Sequence, residues 1–294
     1  MPPVFSVVIC SINAWKFAQT SACYEHLLQN IPHEIIGIHD AVSLCSGYNR
    51  GLQRAHGDVV IFSHDDMLFL DPDFAEKIAA RMRDYDLLGF AGTTRVNLPM
   101  WMGSGGFQHL RGASAHWIGG DTANQLQLAV YGSVEEWPVA KNIAMMDGLC
   151  LIARHETAAA VGFDEDAFDG WHLYDCDFSF SVFLAGFRTG VCCDIPFIHA
   201  TASLNNGNSF GSEDYARYAR RFWKKYREHM RPEKIKRMNC SMIAQDYRGL
   251  VRDWTQENFR KLFFTGKKRW LSLTNENQRY INPPASWNPD GRES

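Results

Sequence analysis

The densest chemistry in the chain sits at His64-Asp65-Asp66, where the apolar run Asp58–Ser63 stops on an imidazole and two carboxylates. A buried-strand pattern that ends this way puts the acids at the carboxyl edge of a sheet, where open α/β folds bind ligands. Two adjacent carboxylates are costly to desolvate unless a cation neutralises them. Oxygen donors beside an imidazole suit Mn²⁺ or Mg²⁺, which keep waters or substrate phosphates among their remaining ligands. The plain alternative is an exposed acidic turn that leads into a helix. Two further groups carry chemistry. Trp171-His172 pairs an aromatic face, able to stack on a ring, with an imidazole able to bond hydroxyls; the plain alternative is a core Trp and a surface His. Asp147-Gly148 sets a carboxylate beside a glycine, with the alternative that Gly148 only permits close backbone approach.

The elements that position these groups are legible in the first 90 residues. Val4–Ser11, Glu34–His39, Asp58–Ser63 and Leu87–Ala91 read as buried strands, separated by helical patterns over Phe17–Leu28, Gly47–Ala55 and Phe74–Arg83. Asp71-Pro72-Asp73 supplies a start for the third helix. Alternation of this kind predicts a mostly parallel central sheet with helices on both faces. Residues 92–142 break the pattern and are rich in Gly, Trp and His, so a loop-rich insertion is expected there, serving as a lid or acceptor region. Regular structure resumes with a strand at Met145–Ala153, a helix near Glu156–Val161, a helix after Trp171 capped near Gly186, and strands at Arg188–Ile195 and Phe197–His199. Residues 1–212 are taken as one catalytic domain and 213–294 as a helical, basic and aromatic extension with a frayed tail.

Of 294 residues, 46% are hydrophobic and 21% charged, which excludes a disordered or low-complexity chain. The net charge of −3 conceals a polarity: residues 1–212 hold 11 Lys and Arg against 23 Asp and Glu, while residues 213–270 hold 17 against 7. The basic arm is expected to cover the acidic body. Peripheral contact with an anionic membrane is the alternative, and nucleic acid is not expected as a partner. Eight cysteines include no Cys-x-x-Cys pair, which argues against a zinc cluster and for a reducing compartment. With no basic leader ahead of an apolar stretch and no long apolar run, a cytoplasmic protein is expected, peripheral at the inner face of the membrane if the arm makes that contact.

The order of short motifs resembles the family 2 glycosyltransferases of the GT-A fold. Asp40, then Ser46-Gly47-Tyr48-Asn49-Arg50-Gly51, then Ala55-x-Gly57-Asp58, an apolar strand and the acidic triplet follow that family's sequence of features. Met146-Asp147-Gly148, Gly162-Phe163-Asp164-Glu165, Asp175-Cys176-Asp177, Gly186-Phe187 and a late His199 continue it, so that the resemblance covers residues 4–204. It implies that Cys10, Ser11, Ile12, Asp40 and Asn49 line a nucleotide, with Asp65 reaching its ribose. It implies that Asp66 binds a metal, joined by His199 and His64, and that Asp175 is the catalytic base of an inverting transfer. With that base in place, Asp147 and Gly148 are assigned to the border of the donor sugar, and Trp171 and His172 to the acceptor site. The pattern departs from the family at two places: His64 stands where a first acid is usual, and Tyr174 stands where Glu precedes the base.

The implied reaction moves a sugar from a nucleoside-diphosphate sugar, UDP-linked by expectation, to a hydroxyl of a saccharide or lipid-linked glycan. A divalent Mn²⁺ or Mg²⁺ on the diphosphate and one carboxylate base fit that chemistry. A nucleotidyltransferase is disfavoured because Ser11-Ile12-Asn13-Ala14-Trp15 offers no glycine-rich phosphate loop. A non-catalytic sugar-nucleotide-binding protein of the same fold is the other alternative, kept open by His64. A glycosidase would hydrolyse without a nucleotide.

Overall fold

In the computed structural model, residues 3–105, 107–118, 125–131, 136–199, 212–230 and 269–272 are described. The first half runs β1 (Phe5–Cys10), α1 (Ala14–Leu28), β2 (His33–Ile38), α2 (Leu44–Arg54), β3 (Val59–Ser63), β4 (Met67–Phe69), α3 (Phe74–Arg81), β5 (Leu87–Gly89) and β6 (Ala91–Thr93). The second half runs β7 (Leu110–Ile118), β8 (Gln125–Tyr131), β9 (Val139–Lys141), β10 (Met145–Met146), β11 (Cys150–Arg154), α4 (His155–Val161), α5 (Tyr174–Leu184), β12 (Thr189–Cys192), β13 (Phe197–His199), α6 (Glu213–Tyr226) and β14 (Arg269–Ser272).

The central sheet has the order β2-β1-β3-β11-β5-β12-β9. β2, β1 and β3 are parallel to one another; β11 runs against both β3 and β5; β12 follows β5, and β9 opposes β12. All but β11 and β9 therefore point the same way, which is the mostly parallel sheet that the alternating pattern implies. β1 shows why the pattern reads so cleanly: Phe5, Val7 and Ile9 enter one apolar cluster and Val8 the other. A strand covered on both faces needs apolar residues at every position.

Local signals set the helix starts earlier than apolar periodicity suggests. The Asn13 side chain accepts from the amides of Trp15 and Lys16, so α1 begins at Ala14 rather than Phe17. Ser43 caps α2 through the Ser46 amide, which moves its start from Gly47 to Leu44. Asp71-Pro72-Asp73 works differently from the expected cap: α3 starts at Phe74, and Asp71 is buried in an ion pair with Lys77.

The expected loop-rich insertion needs correction. Residues 92–142 contribute β7, β8 and β9, and β7 forms the middle of a second sheet, ordered β10-β6-β7-β13-β4, with β8 and β14 branching from it. Met145–Ala153 is likewise not one strand but two, because residues 147–149 turn between β10 and β11. The segment Leu87–Ala91 also divides, with β5 in the central sheet and β6 in the second.

The basic arm, over the residues described, covers the acidic body. Tyr218, Phe222 and Tyr226 bury one face of α6. Lys225 Nζ reaches Asp164 at 2.6 Å and Asp177 at 2.8 Å, and Arg221 reaches Asp169 at 2.6 Å. The apolar face of α6 is thus used inside the protein. Residues 231–268 and 273–294, with the rest of the arm and the tail, lie outside the described residues. No helix among the described residues is long and apolar enough to cross a membrane.

Candidate active site

The site forms where the two sheets meet. β3 ends at Ser63, and the His64 amide donates to the Leu149 carbonyl at 3.0 Å, tying the acidic triplet to the turn at 147–149. β4 then pairs antiparallel with β13, with His199 opposite Met67. That register brings a residue far away in sequence beside Asp66.

Asp66 Oδ1 lies 3.0 Å from His199 Nε2, and His64 Nδ1 lies 3.3 Å from the same nitrogen. Donor atoms from His64, Asp66 and His199 all fall within 4.8 Å of one another. Neighbouring ligands on one small divalent ion, with bonds near 2.1 Å, sit roughly 3 Å apart, so the set fits a cation. Buried Asp66 Oδ1 has the His199 ring beside it and no further hydrogen-bond partner among the described residues. Burial alone would raise the Asp66 pKa, but the His199 imidazole, with smaller help from His64 and Lys16, holds its carboxyl well below the usual carboxylate range. Burial, reinforced by the His199 charge, pushes the His64 ring below its ordinary value. Burial would lower His199 as well, but Asp66 outweighs it and raises the ring above its ordinary value.

Asp65 turns away from this cluster. Its Oδ2 accepts from Ser11 Oγ at 2.6 Å, and its backbone carbonyl accepts from Thr20. Lys16, in the first turn of α1, stands 3.6 Å from Asp66 and 4.0 Å from Asp65. A cavity of about 400 Å³ opens here, lined by Cys10, Ser11, Ile12, Ala41, Leu44, the acidic triplet and Trp171. Ile12, 86% exposed, and Trp171, 52% exposed, offer flat apolar surface at its mouth.

A second cavity of about 190 Å³ adjoins the first and shares His64 and Trp171 with it. Asp147, His172 and Asp175 line it, together with Trp101 and its neighbours from the insertion and Tyr215 from α6. Asp175 opens α5, and its Oδ2 accepts the Gly148 amide at 2.8 Å. Burial pushes its carboxyl up to about 7, and the nearby Asp147 charge adds to this, while the amides of Cys176 and Gly148 oppose it. A carboxyl held near neutrality in a cavity suits proton abstraction. The residue before α5, Leu173, has a left-handed backbone with φ 62°. A non-glycine residue in this region is strained, and such strain concentrates at functional sites.

Cys10, Ser11, Ile12, Asp65, Asp66, His64 and Trp171 therefore share one cavity, and Asp147, His172 and Asp175 share the adjoining one. Two of the residues assigned to the nucleotide lie elsewhere. Asn49 lines neither cavity: its Nδ2 donates to the Phe163 carbonyl at 2.8 Å and its Oδ1 accepts the Phe163 amide at 3.0 Å. It tethers the 163–165 turn to α2. Asp40 is a surface acid paired with Arg50 at 2.8 Å, beside Ala41 of the cavity wall but not in it. Gly148 acts through its backbone, since an added Cβ would stand 2.2 Å from Tyr174 Oη and 2.6 Å from Asp175 Cβ. Tyr174 joins the site directly. Its hydroxyl lies 2.6 Å from His64 Nε2 and donates to the Gly148 carbonyl at 3.1 Å. Lys16 and Trp101 are further site residues that sequence pattern did not single out.

Residues 6–226 match the family model described as "Glycosyltransferase like family". The chain belongs to that family. As a member of this glycosyltransferase family it is a transferase enzyme, built on a mostly parallel central sheet flanked by helices. No curated protein matches it. Solved structures similar to it include a mannosyltransferase from Pyrobaculum calidifontis in complex with GDP-Man and Mn²⁺, at 12% identity over 80% of this chain and 66% of that one, TM-score 0.41. TarS from S. aureus in complex with UDP is 14% identical over 75% of this chain and 64% of its own, TM-score 0.40. GalNAc-T7 with UDP, GalNAc and Mn²⁺ is 13% identical over 76% of this chain and 48% of its own, TM-score 0.45.

Proposed function

We propose that the protein transfers a sugar from a nucleoside-diphosphate sugar, UDP-linked, to a hydroxyl of a saccharide or glycan, with inversion at the anomeric carbon. The observation that carries this reading is the junction of the two cavities at His64 and Trp171. On one side stand Ser11, Asp65 and a cation-type donor set; on the other stands a carboxyl tuned towards neutrality. Ser11 and Asp65 suit the hydroxyls of a ribose, and Ile12 and Trp171 suit the flat faces of base and sugar.

Asp66, His199 and His64 would hold a divalent Mn²⁺ or Mg²⁺, which neutralises charge on the leaving diphosphate. Asp175 takes the proton of the acceptor hydroxyl. The acceptor oxygen forms its bond to the anomeric carbon as the bond to the nucleoside diphosphate breaks, and the diphosphate leaves with the electron pair. A single base on the face opposite the leaving group gives inversion. The Gly148 amide keeps Asp175 Oδ2 fixed, so the carboxylate does not have to be ordered during the reaction. Trp101, His172 and Tyr215 enclose the acceptor side and limit access of water to the donor.

The test is Asp175→Asn. Turnover of the sugar nucleotide falls by about 10²- to 10⁴-fold, the usual contribution of a positioned base, while nucleotide affinity is retained. Turnover that survives in this variant removes Asp175 from the mechanism.

A further inference from the structure

His64 and Tyr174 touch each other across 110 residues of sequence, Nε2 to hydroxyl at 2.6 Å. The Tyr174 hydroxyl is placed to donate to the Gly148 carbonyl, at 3.1 Å. Its oxygen is then an acceptor, and the His64 ring meets it with Nε2–H. An imidazole that donates from Nε2 carries its lone pair on Nδ1, and Nδ1 is the atom that faces His199 Nε2 at 3.3 Å, within the cluster that includes Asp66.

We infer that Tyr174 is a positioning residue for the metal: it fixes His64 in the tautomer and ring orientation that present Nδ1 to the ion, and so builds a site of two imidazoles and one carboxylate that takes Mn²⁺ in preference to Mg²⁺. The inference rests on the reading above that an ion sits among His64, Asp66 and His199. A hydrogen bond to the far nitrogen of a ligating histidine sets its orientation and basicity, and its loss typically costs 10–100-fold in metal affinity. Imidazole donors suit late first-row ions, whereas Mg²⁺ favours an all-oxygen shell. The two residues thus act as one unit: the imidazole serves as ligand, and the phenol supplies the partner that the imidazole needs.

The experiment measures Mn²⁺ and Mg²⁺ binding to the full chain, with the metal alone, for wild type, Tyr174→Phe, His64→Ala and the double variant. Wild type is expected to bind Mn²⁺ more tightly than Mg²⁺. Tyr174→Phe is expected to weaken Mn²⁺ about 10–100-fold, and to have no further effect once His64 is Ala. Equal affinity in wild type and Tyr174→Phe overturns the inference, as do losses that multiply in the double variant or a wild type that holds Mg²⁺ as tightly as Mn²⁺. Because Tyr174→Phe also removes a buried hydrogen bond, the Mn²⁺-bound wild type is examined in parallel by pulsed electron paramagnetic resonance. Two coupled imidazole nitrogens are expected, and one would contradict the inference without recourse to any variant. Nucleotide binding in EDTA separates the failures: if wild type binds UDP but no metal, the donor site stands and the metal inference falls.

Discussion

The neutrality-tuned carboxyl of Asp175 has a cost that can be measured in the fold itself. Asp175→Asn keeps shape and removes the titration. In the folded protein the carboxyl is held near 7 against an ordinary value of 3.8. The unfolded chain therefore releases its proton near pH 4 while the folded chain keeps it until about 7, so stability from this group falls as pH rises through that window and stays low above it. Between pH 5 and pH 8 the ceiling on this loss is about 3 kcal/mol. Asp175 retains some contact with solvent, which halves the figure to about 1.5 kcal/mol. The Asn variant escapes the loss, so its stability relative to wild type should improve by that amount between the two pH values, a differential Tm shift of about 2–3 °C. Calorimetric melting of both proteins at pH 5 and pH 8 measures this as a difference of differences, which cancels any constant geometric penalty of the amide against the Gly148 N–H. A Tm difference between the two proteins that does not change with pH would refute the argument, because it would mean that Asp175 is solvated like a surface acid and is not tuned for proton abstraction.

Other positions separate architecture from chemistry. Asn49→Ala removes two hydrogen bonds to the Phe163 backbone and should lower stability by about 1–3 kcal/mol, with nucleotide affinity unchanged; a loss of affinity at constant stability would return Asn49 to the donor site. Gly148→Ala forces a Cβ against Tyr174 and Asp175, so it should cost about 1–3 kcal/mol from overpacking and about 10²-fold in turnover from displacement of the base. Denaturant melts and initial rates check both effects, and an Ala variant with wild-type turnover would show that the Gly148–Asp175 contact is not needed.

The sequence made the first half of the fold readable because β1, β2, β3 and α2 carry their instructions locally. Apolar runs covered on both faces and capped helices need no distant information. β7 was not readable for the opposite reason. Leu110–Ile118 alternates Gly, Ala and Ser with few β-branched residues, and its pairing to β6, β8 and β13 is set by partners elsewhere in the chain. Gly112 adds a backbone feature that periodicity does not report, with φ 109° and a Cβ position only 2.1 Å from the Phe90 carbonyl oxygen. The direction of β11, against its neighbours, is also invisible in a composition that suits either direction. In the site, the acidic triplet was legible from its place after a buried strand, whereas its neighbour His199 was marked only by resemblance, because the β4–β13 register that joins them leaves no local trace. Asn49 illustrates a different limit. A polar residue on a helix near a ligand edge suits either a nucleotide or a loop tether, and the tether to Phe163 is a contact that no local pattern announces.

The donor site is tested most directly by thermal melting of the wild-type protein with UDP, GDP, CDP and dTDP and their sugar-linked forms, each with Mn²⁺, Mg²⁺ or EDTA. A ligand at 100 times its dissociation constant stabilises a fold by about 2.7 kcal/mol, a shift well within reach of the method. The account predicts stabilisation by UDP and a UDP-sugar that is greatest with Mn²⁺ and falls sharply in EDTA. No shift with any nucleotide, with or without metal, would contradict it.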